Sequence, residues 1–231
     1  MKTYRIWLIL AAFLLAGFLA ACATDDDASD KGTEEVKQEV KTGNEATGND
    51  DDVVTINDKS FDNHDLAFYT LMRNIQAEIG RHFDQEKFDG KELEDRNAYW
   101  DDQIAYNENT NVQLQNLIEI YAMALLAKEK NYYNPPEELD KAVKELTESM
   151  EDIKGAQKLI DTYGEKNFRQ HIHEYMDYSL LRDRVVDDLT KDIKQEHPDI
   201  TDDELDYELA NSYGELFQDQ VDSLEVEMHV K

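Results

Sequence analysis

Apolar residues recur along most of this chain at the three-and-four spacing of a buried helix face rather than at the two-residue spacing of a strand. Phe68, Met72, Ile75 and Ile79 stand at i, i+4, i+7 and i+11, so they share one face and predict a helix over residues 64–82. Gly80 and the polar stretch 84–90 loosen that pattern, and a shorter helix is expected around Tyr99, Trp100 and Ile104. Residues 111–130 are the most apolar stretch, with Leu114, Leu117, Ile118, Tyr121, Leu125 and Leu126, and this helix is expected at the centre of the core. Asn134-Pro135-Pro136-Glu137-Glu138 then reads as a stop and a fresh start, with proline in the first turn and acids at the positive end of the helix dipole. Leu139, Val143, Leu146, Met150 and Ile153 continue that helix on one stripe. Gly155 is expected to break it, and Gly164 to cap a short helix that reaches Tyr163. Phe168, Ile172, Tyr175, Met176, Leu180, Val186, Leu189 and Ile193 predict a long helix over residues 165–194, which Pro198 ends. Thr201-Asp202-Asp203-Glu204 has the form of a capping box and opens a last helix carrying Leu205, Leu209, Leu216, Phe217 and Val221.

Two β-like runs bracket this helical middle. Val53-Val54-Thr55-Ile56 is closed by the turn residues Asn57-Asp58, and Val226-Glu227-Met228-His229-Val230 alternates as a strand does. A lone strand would leave its backbone groups unsatisfied, so the two are expected to pair. The expected fold class is therefore mostly α: one multi-helix domain over residues 53–231 with a short two-strand pairing of its N- and C-terminal segments.

The first 52 residues have a different character. Lys2 and Arg5 precede an unbroken apolar run of 16 residues from Ile6 to Ala21, which ends at Leu19-Ala20-Ala21-Cys22 and the chain's only cysteine. The run is short of the roughly 17–25 residues that an apolar helix needs to cross a bilayer core, and a charged start, apolar run and small-residue end form a secretory signal. Leu-Ala-Ala-Cys resembles the lipobox of bacterial lipoproteins, in which the cysteine receives a diacylglyceryl group and becomes the mature N-terminus. The resemblance implies cleavage after residue 21, a lipid (palmitate-type acyl) anchor on Cys22, and an address on the extracytoplasmic face of the cell membrane. Ala23 in place of the aspartate that retains lipoproteins at an inner membrane favours a Gram-positive host. With that thiol lipidated, no disulfide, thiolate metal site or cysteine nucleophile remains. Residues 23–52 are Asp, Glu, Lys, Thr, Gly and Asn with few apolar side chains, and are expected to form a disordered acidic tether behind Cys22.

Charge narrows the partners. The chain carries 53 acidic and 24 basic residues, a formal net charge of −29. Such a balance argues against nucleic acid, whose phosphates demand a basic patch, and against electrostatic adhesion to anionic lipid, which leaves membrane attachment to the acyl chains. It suits a soluble surface domain, or attraction of cationic clients.

The order of elements resembles the N-terminal chaperone domain of the SurA/PrsA foldase family, secreted relatives of trigger factor. The resemblance runs through residues 53–59 with Phe61, through Leu114-Gln115-Asn116-Leu117-Ile118-Glu119 and Ala127-Lys128-Glu129-Lys130, through residues 135–143, and through Tyr163-Gly164 followed by Phe168-Arg169. It implies a chaperone that holds newly secreted, partly unfolded proteins. Isomerase members carry a parvulin domain of Gly-rich loops; here only 9 glycines occur in the whole chain, none after Gly214, so the resemblance implies a module without the isomerase and not an enzyme. Phe68, Met72, Trp100, Tyr121, Tyr175 and Met176 are the expected client-binding residues, an aromatic and Met-bearing face whose helical spacing equally suits a core. The alternative function is a structural or signalling lipoprotein that docks one specific protein partner.

Other motif-like clusters carry little chemistry. His171 and His173 lie two apart, about 200° around a helix, so they cannot share a metal. Asp25-Asp26-Asp27, Asp50-Asp51-Asp52 and Asp101-Asp102 lack the glycine turn and terminal glutamate of a calcium loop and read as solvated charge. No nucleophile elbow, phosphate-binding loop or dinucleotide fingerprint occurs, and neither metal nor cofactor is expected beyond the covalent lipid.

Overall fold

A computed structural model describes residues 52–229. Strand β1 (Asp52–Ile56) turns through Asn57-Asp58 into β2 (Lys59–Asp62), and Asn57 takes the left-handed backbone that a two-residue hairpin turn requires, with φ of 50°. The other edge of β1 pairs antiparallel with β3 (Val226–Met228), Val54 opposite Met228 and Ile56 opposite Val226, so the sheet order is β2-β1-β3. The expected pairing of the two terminal segments is thus present. Strand β2 is the addition: Lys59-Ser60-Phe61-Asp62 holds one apolar residue, too few to show a period, yet Phe61 is buried under the hairpin. The terminal strand stops at Met228, and Val230 lies outside the described residues.

Seven helices follow among the described residues: α1 (Asn63–Lys87), α2 (Gly90–Asn107), α3 (Thr110–Glu129), α4 (Pro136–Met150), α5 (Lys154–Tyr163), α6 (Glu165–Glu196) and α7 (Asp202–Ser223). Their starts are chemical. Asp62 accepts hydrogen bonds from the backbone N–H groups of His64 and Asp65 while the Asp65 carboxylate accepts from the Asp62 N–H, which closes a capping box on α1. Thr201 and Glu204 do the same for α7, as their spacing predicts. Pro136 opens α4, and Gly164, at φ of 97°, joins α5 to α6.

Two helix boundaries differ from expectation. Helix α1 continues past residue 82 to Lys87, and Gly80 does not loosen it but is a packing notch: a Cβ there would fall 2.4 Å from Trp100 Cη2 on α2. The stop after α4 falls at residues 151–153, and Gly155 sits inside α5.

Helix α3 is central. It packs along α6 and also meets α1 and α7, so Leu117, Ile120, Ala122, Met123 and Ala124 are buried on several sides of one helix. That all-round enclosure is why its sequence is the most apolar. A single core cluster joins β1, β2, α1 and α3 through α7. Helix α2 is outside it. Its one buried residue is Asn107, at the C-terminal end. None of the described helices is long and apolar enough to cross a membrane.

Candidate functional site: a two-helix arm beside an aromatic core

Five of the six expected client-binding residues are core. Phe68, Met72, Tyr121, Tyr175 and Met176 are all buried, and this corrects their assignment to an open cradle. Phe68 is the hub: its ring lies 5.7 Å from Tyr163, 5.8 Å from Phe168, 5.4 Å from the His171 ring and 5.8 Å from Tyr175. Tyr175 also meets Tyr69 edge-on at 5.2 Å. Each aromatic side chain removes about 150–250 Å² from water when buried, so a face that carries several of them on a domain of this size is used to hold helices together. Trp100 differs from the other five, being only half-buried.

Beside the hub, β2 and α6 exchange charge. Lys59 Nζ binds Glu174 Oε1, and the Tyr178 hydroxyl donates to the same oxygen at 2.8 Å. Burial works against the charged form of Glu174, but these two hydrogen bonds outweigh it and hold the carboxyl below its ordinary value. Burial, and secondly the bond to Glu174, pushes the Tyr178 hydroxyl far up, so it remains a donor. The Tyr178 ring meets Tyr121 edge-on at 5.1 Å, and Tyr121 meets Phe61 at 4.9 Å, so the ion pair is seated on an aromatic wall.

A second polar network lies inside the α3–α6–α7 junction. The Arg182 side chain is 3% exposed; its Nη2 donates to Asp183 Oδ1 at 2.7 Å and its Nη1 lies 4.0 Å from Glu119 Oε1. Tyr213 of α7 donates its hydroxyl to that same Glu119 oxygen at 2.7 Å. Burial and the Glu119 charge push the Tyr213 hydroxyl well up, so it too stays a neutral donor. Each charged group here has an opposite partner, which is the arrangement that makes a buried charge tolerable.

The surface is built differently on the α1–α2 arm. Helix α2 rests on the C-terminal part of α1 through its Leu93, Asn97, Trp100 and Ile104 side. The Trp100 indole fills the Gly80 notch and donates Nε1–H to Asp84 at 2.8 Å. Arg96 stacks 3.8 Å over the Phe88 ring and faces Asp84 and Glu92, while Arg81 binds Asp101 at 2.7 Å. At the far end Asn107 donates to Asn74 at 2.9 Å. The opposite side of α2 is open among the described residues: Tyr99 is 50% and Tyr106 42% exposed, and Asp95 and Asp102 stand between and beside them, exposed. Of the expected client residues only Trp100 belongs to this arm, where its ring meets that of Tyr99 edge-on at 4.9 Å. The signal for the rest was present as Asp95, Tyr99, Asp102 and Tyr106 at i, i+4, i+7 and i+11, a helix face of mixed acid and ring that a search for apolar periodicity passes over.

His173 reaches Asp140 at 3.7 Å and His171 Nδ1 meets the Asn167 carbonyl at 2.8 Å, so the two histidines have separate neighbours. Among the described residues no group of three or more His, Cys, Asp or Glu side chains is arranged to hold a metal ion. The expected leader over residues 1–21, the expected lipidation site Cys22 and the expected tether behind it lie outside the described residues. No family model, no curated protein and no solved structure matches this chain.

Proposed function

We propose that this chain is a lipid-anchored extracytoplasmic chaperone, a holdase without isomerase activity, that keeps newly secreted and partly unfolded proteins from aggregating. The observation that carries the reading is the α1–α2 arm, a helix packed on one side only and bearing exposed tyrosines on the other. Strand, helices and closing strand also follow the order that the resemblance to the SurA/PrsA chaperone domain implies. The lipobox-like Cys22 supports the address, on the outer face of a membrane beneath a stream of emerging chains. Capture is weak and reversible, through tyrosine faces, and the strongly acidic surface keeps one loaded molecule from another. The core aromatics serve to fix the arm's base and take no part in capture.

The test is aggregation of a secreted protein diluted from urea, followed by light scattering, with the full chain present at stoichiometric amounts. Slower aggregation is expected, and no effect overturns the reading. The narrowness of the arm's uncovered face, two tyrosines along one helix, favours a second reading in which the lipoprotein docks one specific protein partner. Crosslinking in cells separates the two, because a holdase returns many unrelated proteins and a docking domain returns one.

A further inference from the structure

The solvent face of α2 repeats acid and ring. Asp95, Tyr99, Asp102 and Tyr106 fall within about 60° of one another around the helix axis, opposite the side that carries Leu93, Trp100 and Ile104. They span about 16 Å along the axis, in steps of roughly 5–6 Å. Three acids of this arm are neutralised from within: Asp101 by Arg81, Glu92 by Arg96, and Asp84 by Arg96 and the Trp100 N–H. Asp95 and Asp102 have no ion-pair or hydrogen-bond partner among the described residues, and Tyr99 and Tyr106 leave about half of their surface open. The one cation on the same side of the helix is Lys91, one turn before Asp95.

We propose that this face of α2 is a docking site for an extended, Lys- or Arg-rich segment of another protein. Two independent features select that occupant. The unneutralised carboxylates attract cations, and tyrosine rings between them offer the electron-rich faces over which an ammonium or guanidinium group settles. The spacing fits as well, since alternate side chains of an extended strand lie roughly 6.5–7 Å apart on one side, close to the step of the stripe. A segment with a basic residue at every second position therefore meets carboxylate and ring in turn. An apolar segment leaves both carboxylates facing it unpaired, and an acidic one is repelled. The inference rests on the chaperone reading only for the source of the segment, a basic stretch of an emerging chain.

Trp100 reports on the site, because its ring touches Tyr99 and Trp7 is the chain's one other tryptophan. The full chain carrying Trp7→Phe, in neutral detergent, is titrated with a 12-residue peptide of alternating lysine and serine and with its glutamate–serine counterpart. A saturable change in Trp100 emission is expected with the lysine peptide alone, and it weakens several-fold as salt rises and screens the exposed charges. Asp95→Asn with Asp102→Asn is expected to weaken binding roughly threefold to tenfold, and Tyr106→Ala roughly twofold to fivefold while Tyr106→Phe retains it. These side chains are exposed, and circular dichroism verifies that each variant is folded. Equal weakening by Glu208→Gln with Glu215→Gln, two exposed acids on α7, overturns the proposal, since binding then follows overall charge. Absence of binding by the lysine peptide, or indifference to both α2 substitutions, overturns it too. Slowed aggregation without peptide binding refutes this site and leaves the chaperone reading standing; peptide binding without slowed aggregation does the reverse.

Discussion

Replacing Arg182 by methionine removes the buried cation at the junction of α3, α6 and α7 and keeps much of its volume. In the native chain the guanidinium serves Asp183 at 2.7 Å and stands 4.0 Å from Glu119, which also receives the Tyr213 hydroxyl. Without it, two carboxylates of opposite helices share a site in which their side chains are 13% and 19% exposed. Breaking a buried pair by deleting one partner costs about 3–5 kcal/mol, and since these two acids retain some water the lower end, about 3 kcal/mol, applies. For a domain of this size that is a fall in Tm of roughly 6–12 °C. Urea unfolding followed by circular dichroism at pH 7 measures it, with the slope of the transition unchanged if only stability has altered. Adding Glu119→Gln to Arg182→Met removes one of the stranded charges and leaves an acceptor for Tyr213, so it should recover about half of the loss. A loss under about 1 kcal/mol, or a double variant weaker than Arg182→Met alone, would refute the account of this junction as a mutually neutralising network.

Two further outcomes follow from the packing and the charge pairs. Gly80→Ala puts a methyl group 2.4 Å from Trp100 Cη2, so the indole must leave its notch; Trp100 emission should shift to longer wavelength, while the net stability change stays under about 2 kcal/mol because the gain of about 1 kcal/mol in helix propensity offsets part of the overpacking. An unmoved emission spectrum would refute the displacement, since the indole would then have kept its surroundings. Glu174 is held below its ordinary value by Lys59 and Tyr178, so its contribution is present above the usual carboxylate range and is lost as pH falls through its depressed native value. Lys59→Met should therefore destabilise at pH 7 and make little difference well below about pH 4, and a deficit that persists in acid would assign the loss to packing over Phe61 instead.

The helical period of Phe68, Met72, Ile75 and Ile79, the proline start of α4 and the Thr201–Glu204 capping box are all legible in the sequence, because each is a local rule acting within a few residues. The pairing of residues 53–56 with 226–228 was legible for a less local reason, since two isolated strands must satisfy their backbone groups and only one partner was on offer. Strand β2 was not, because a strand with one apolar residue has no period to detect.

Sequence by itself determined that this chain is mostly helical and which faces are apolar. It could not decide which apolar face is core and which is surface, because periodicity says that a face must be covered and does not say by what. Tertiary packing decided it: Phe68 and Tyr175 found ring partners on α1, α5 and α6 and are buried, and Gly80 became a seat for Trp100. Among the described residues the same packing left α2 covered on one side only, which is why Asp95, Tyr99, Asp102 and Tyr106 are exposed. A stripe of mixed acid and ring becomes visible as a site only once no other described residue packs against it.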